Sequence, residues 1–138
     1  MRTIAGIVGG LIVAMLTIAV VEAIGHYFIP PPVVDMNDPV QVREMLRTLP
    51  VGAFLFVLAA WFTGTFAAAF TAALIQRSDI LWPTLLLAGC LEACGLAMIA
   101  MIPSPLWFSL VGLALFFPAA LWGRNIARGL SRHHVTAI

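Results

Sequence analysis

Charge is what this sequence has least of. Only 9% of its 138 residues are Asp, Glu, Lys or Arg, and 62% are hydrophobic, whereas a soluble domain carries roughly 25% charged residues. That shortage excludes an ordinary water-soluble domain and points to a chain solvated by lipid. It also excludes a nucleic-acid partner, because the net charge is only +1 and phosphate binding needs a clustered basic surface. Cysteine is nearly absent. Cys90 and Cys94 stand in an apolar run with C-x-x-x-C spacing, where redox and zinc sites more often use C-x-x-C, so they read as small packing residues. No metal site is expected. Missing too are a glycine-rich phosphate loop, a nucleophile elbow, an H-E-x-x-H pair and a Ser/His/Asp set on one side of a membrane. The chain is read as a non-enzyme without a cofactor.

What is there is apolar length. A spanning helix needs about 20 residues to cross a hydrocarbon core ~30 Å thick, and four segments qualify: 4–29, 50–76, 80–102 and 106–123. Little chain remains outside them, so packed helices are the only core available. The expected fold is all-α, a single integral-membrane domain over 1–138. It is a four-helix bundle with a short amphipathic helix in the first loop and a basic cytoplasmic tail over 124–138. The charge-free run after Arg2 exceeds a signal-peptide core and Val21-Glu22-Ala23 is a poor cleavage site, so the first span is expected to be retained.

Arginine placement orients the chain. Arg2, Arg77, Arg124, Arg128 and Arg132 gather on the side shared by both termini, while Arg43 and Arg47 in the first loop are offset by Asp35, Asp38 and Glu44. The positive-inside rule assigns that side to the cytoplasm and gives a multi-pass protein oriented N-in and C-in. Trp82 and Trp122 fall near the cytoplasmic ends and Tyr27 and Trp107 near the opposite ones, as interfacial aromatics do. Trp61 departs from this pattern. It lies ~16 Å into its span, close to mid-membrane, where an indole N–H wants a partner.

The first loop carries its own signals. Pro30-Pro31-Pro32 ends the first helix. Asp38 reads as an N-cap with Pro39 at N1, and Val42, Met45, Leu46 and Leu49 recur at helical spacing opposite Gln41, Arg43, Glu44 and Arg47. A helix lying on the outer membrane surface or across the bundle mouth fits this pattern, as does a plain re-entry turn.

Helices in lipid associate through small residues that let backbones approach. Three four-residue rows have that form: Gly6, Gly10 and Ala14; Ala60, Gly64, Ala68 and Ala72; and Gly89, Ala93 and Ala97. They read mainly as internal packing, with an oligomer interface as the alternative. Pro118 is expected to kink the fourth span.

Two carboxyls lie within these spans. Glu92 is near the middle of the third, where a charge costs at least ~2.5 to 3.5 kcal/mol on insertion scales. Its face, shared with Ala88, Gly89 and Gly95, suits contact with another helix, so burial of the carboxyl in protein is expected. The polar candidates at similar depth are Thr17, Trp61, Thr63 and Thr65. Glu92 is either neutral interhelical glue or a proton-carrying group. Glu22 lies near the outer interface, roughly 9 Å from the level of Glu92 along the membrane normal, too far to share a proton or a metal. With His26 one turn on, it forms an i, i+4 pair, read either as a polar helix end or as an ion pair that titrates near neutral pH. His133 and His134 lie on the opposite side, which excludes a bis-histidine haem site within one chain.

Several local motifs also carry a likeness: Val21-Glu22-Ala23-Ile24-Gly25-His26 leading into the triple proline, Asp38-Pro39, Leu49-Pro50-Val51-Gly52-Ala53, Trp61 with Gly64, and Ile102-Pro103-Ser104-Pro105-Leu106-Trp107-Phe108. In these the chain resembles an uncharacterised family of small four-span bacterial inner-membrane proteins. The resemblance implies a fold and a compartment and carries no activity over. Small multidrug transporters also have four spans and an acid in the first, but Glu22 lies too near the helix end to match theirs, and the rest of their pattern is missing. Two functions follow. One is a structural or accessory subunit whose partners are the lipid bilayer and other transmembrane helices, in a larger complex or its own copies. The other is a small proton-coupled transporter or relay using Glu92. The orientation is testable directly: a reporter active only in the periplasm should be active when inserted near Asp38 and silent after Arg132, and the reverse pattern would invert the topology.

Overall fold

A computed structural model describes residues 1–35, 37–76, 80–102 and 104–135, with side chains through Ser131. Arg77, Pro103 and the side chains of Arg132, His133 and His134, which figure above, lie outside the described residues. The chain is all-α: α1 (Arg2–Phe28), α2 (Pro39–Thr48), α3 (Val51–Gln76), α4 (Trp82–Met101) and α5 (Leu106–Val135). All but α2 are long and apolar enough to cross a membrane. Their outward faces carry large apolar side chains, such as Ile4, Val8, Ile12, Leu16 and Val20 along α1, as expected of surfaces solvated by lipid.

The centre is α3, which packs against α1, α4 and α5, while α4 closes on α5 and only grazes α1. Two glycine rows explain why α1 and α3 lie so close. A Cβ on Gly10 would stand 2.7 Å from the Ala68 carbonyl oxygen, and one on Gly6 would stand 3.1 Å from that of Ala72. The α1 and α3 rows thus face each other and are buried, as internal packing requires. On the other side of α3, a Cβ on Gly123 would run into the Phe66 carbonyl. Ala69, Ala88 and Ala120 fill the junction of α3, α4 and α5. Lipid offers apolar side chains no gain on leaving it, so dispersion between close backbones holds such a bundle together.

The third small row behaves differently. Ala93 and Ala97 are exposed, Gly89 is half-buried, and a Cβ added to Gly89 would meet nothing within 4 Å. This row faces outward, and internal packing of the chain does not use it.

The helix that carries the fourth span does not stop where that span was expected to end, at Gly123. Instead α5 runs on through Val135 with Pro118 inside it, because Arg, Ala and Leu after Gly123 favour helix and Gly123 is used for close approach to α3 rather than as a stop. In the first loop, α2 forms as the expected amphipathic helix, starting at the Asp38-Pro39 signal.

These contacts rank the glycines. Gly10→Ala and Gly123→Ala, which push a methyl into a neighbouring backbone, should each cost about 1 to 3 kcal/mol as overpacking. Gly89→Ala should be neutral in detergent. Unfolding by denaturing detergent titration measures all three; equal sensitivity at Gly89 and Gly123 would contradict this packing.

Candidate functional site

At the end of the bundle that carries α2, the helices leave a cavity of about 160 Å³. Glu22, Gly25 and His26 of α1 line it on one side. Ala53, Phe54, Val57 and Trp61 of α3 line another, Met98 and Ile99 of α4 a third, and Phe108 of α5 closes it. Leu46 and Leu49, from α2 and the residue after it, complete the wall and pack against the bundle core. The lining is aliphatic and aromatic apart from Glu22, His26 and Ser104.

The lid is built from its sequence upward. Pro39 fixes the first turn of α2, and the Asp38 carboxylate accepts hydrogen bonds from the Val40 and Gln41 backbone N–H groups at 2.9 and 3.5 Å. The Gln41 side-chain amide also donates to it, at 3.0 Å. The bond from Val40 N–H, followed by that from the Gln41 side chain, holds the Asp38 pKa below the ordinary value. Val42 is buried, Met45, Leu46 and Leu49 are half-buried, and Arg43, Glu44 and Arg47 point outward, with Arg47 and Glu44 paired at 3.6 Å. An amphipathic helix thus turns its apolar side to the bundle, where Leu46 reaches the cavity wall.

Trp61 forms the cavity floor and is only 5% exposed. Its ring packs on Phe108 and Phe116, each with centroids 5.5 Å away. Room for it comes from glycine: a Cβ on Gly112 would sit 2.8 Å from the indole, and one on Gly95 would sit 3.5 Å from it and 2.9 Å from Phe116. Aromatic packing therefore holds Trp61, and its N–H makes no hydrogen bond to any described residue. Neither helical spacing nor composition pointed to Gly95 and Gly112 as its sockets.

The sequence candidates divide between two places. Glu22, His26 and Trp61 come together on the cavity. Glu22 is half-buried and His26 exposed, and among the described residues neither is hydrogen-bonded or ion-paired to the other. Glu92 lies elsewhere. It sits on the flank of α4 between Ala88, which packs against Ala69 and Ala120, and Gly95, which packs against Phe116. By helical rise it lies roughly 9 Å along α4 from Met98, a residue of that helix that lines the cavity. It is half-buried, less enclosed than its small neighbours suggested. Thr17 and Thr63 do not bond to it, because their hydroxyls donate to their own helix at Val13 O and Ala59 O, 2.8 and 2.7 Å away. Among the described residues, buried Thr65 Oγ1 has no hydrogen-bond partner and Glu92 has no polar partner. Cys90 and Cys94 are exposed on the outside of α4, which corrects their reading as packing residues. The described residues contain no cluster of three or more potential metal ligands. Buried Arg124 and Gln76 were not foreseen; both lie at the end of a span, where counting residues cannot tell a packed side chain from a solvated one.

In the comparisons with known proteins, no family model, curated protein or solved structure matches this chain.

The lid yields a test. With the Asp38 pKa lowered by folding, its carboxylate stabilises α2 above the ordinary carboxylate range, and that support is lost as pH falls through the lowered value. Asp38→Ala should speed amide exchange across 40–48 at neutral pH and leave the spans unaffected. Exchange unchanged from the parent chain would show that the cap does not hold the lid.

Proposed function

We propose that this chain is a structural or accessory subunit of the bacterial inner membrane, with both termini cytoplasmic. It packs through the outer face of α4 against another transmembrane helix, in a larger complex or in a copy of itself. One observation carries this reading. The small-residue row Gly89, Ala93 and Ala97 is open, and Glu92 stands beside it half-buried and without a polar partner among the described residues. A second helix seated there could approach closely and present a hydrogen-bonding group to the carboxyl, removing most of the cost of holding it in lipid. The two small rows already used between α1 and α3 are an example of such contact within the chain. A proton relay through Glu92 has less support, because among the described residues no hydrogen-bonded neighbour is in place to pass the proton on.

Cys90 provides the assay, being exposed close to the same face. A short bis-maleimide applied to native membranes should link Cys90 to a cysteine of the seated helix, and mass spectrometry of the product separates its own copy from another subunit. Glu92→Gln should preserve the yield, whereas Glu92→Leu should lower it about fivefold, the scale of one interhelical hydrogen bond in lipid. Gly89→Ile should abolish it. A yield indifferent to Gly89→Ile would rule out this face.

A further inference from the structure

We propose that the cavity beneath α2 is a lipid-binding site that takes part of the acyl chain of a phospholipid with a primary ammonium head group, and that the Glu22 carboxylate receives the ammonium. Its size and lining set the apolar part. At about 160 Å³ it matches an engineered apolar cavity of ~150 Å³ that takes up benzene, so it admits a chain segment and not a whole lipid. The wall made by Phe54, Val57, Trp61, Ile99 and Phe108 suits a hydrocarbon.

Its entrance sets the source. Near the opposite end of the bundle α1 meets α4, with Gly10 against the Leu87 side chain. Toward α2 the two helices instead border the cavity, through Glu22 and His26 on one and Met98 and Ile99 on the other. The cavity is partly open, and beside two membrane spans the most abundant apolar solute is lipid itself. With Leu46 and Leu49 as a roof, a chain entering from the side is shielded from water.

Charge selects the head. Glu22 is the only carboxylate among the lining residues, which include no Arg or Lys. The α2 end of the chain carries Glu22, Asp35, Asp38 and Glu44 against Arg43 and Arg47, a negative balance that attracts cations and repels anionic heads. A primary ammonium has three N–H donors, and Glu22 has no hydrogen-bond partner among the described residues. Exposed His26, one turn nearer the helix end and also on the lining, remains for the phosphate.

The experiment uses the whole chain in nanodiscs containing phosphatidylethanolamine, phosphatidylcholine or phosphatidylglycerol with identical chains. Native mass spectrometry should find the ethanolamine lipid retained about tenfold more tightly than the glycerol lipid, with Glu22→Gln erasing that preference. Position is read separately in a variant carrying Trp82→Phe, Trp107→Phe and Trp122→Phe, so that Trp61 alone fluoresces. Bromines on the acyl chain should quench Trp61 saturably, although bulk lipid cannot reach a side chain 5% exposed. Should that variant fail to fold, 19F spectra of the unmodified sequence with fluorotryptophan, the Trp61 signal assigned through Trp61→Phe, give the same contact. The proposal is overturned by retention independent of head group, by a preference that survives Glu22→Gln, or by a Trp61 signal blind to the brominated chain.

Discussion

Everything in this bundle depends on α3 being approachable from both sides. Its neighbours bring glycine to the points of closest contact, Gly10 of α1 toward the Ala68 carbonyl and Gly123 of α5 toward that of Phe66. In water, burial of leucine would hold four helices together; in lipid it supplies almost nothing, and backbone proximity takes its place. That constraint places the remaining parts. With α1 and α5 fixed on α3, α4 closes the bundle against α3 and α5, and the space left between α1 and α4 at the α2 end becomes the cavity.

The architecture was legible because bilayer thickness converts apolar length into helix number, and because Asp38-Pro39 is a local start signal that needs no tertiary help. Which way each helix turned was less legible. The three small rows look alike in sequence, yet two are buried against each other and the third faces outward. A row marks a surface capable of close approach and says nothing about whether the partner lies in the same chain. Misreading Glu92 as more enclosed than it is has the same origin, since its neighbours Ala88 and Gly95 are buried while Gly89 is open.

The candidate site shows a related limit. Helical spacing put Glu22 and His26 on one face, and depth arithmetic put Trp61 near mid-membrane, but nothing linked the two observations. The link is a volume, made where Phe54, Trp61 and Phe108 meet α1 and the residues of α2, and a volume has no sequence pattern of its own. Gly95 and Gly112 matter for the same reason: each is defined by the indole that occupies the space where its side chain would be.

One feature at the far end concerns entropy. Since α5 is 30 residues long, it measures about 45 Å, against ~30 Å for the hydrocarbon core. Untilted, that leaves about 15 Å of helix beyond the hydrocarbon core, at the depth of the head groups. A disordered basic tail would have to surrender backbone freedom, roughly 1 to 2 kcal/mol per residue, before it could present a fixed surface. With α5 helical through Val135, part of that backbone cost is met by the fold itself.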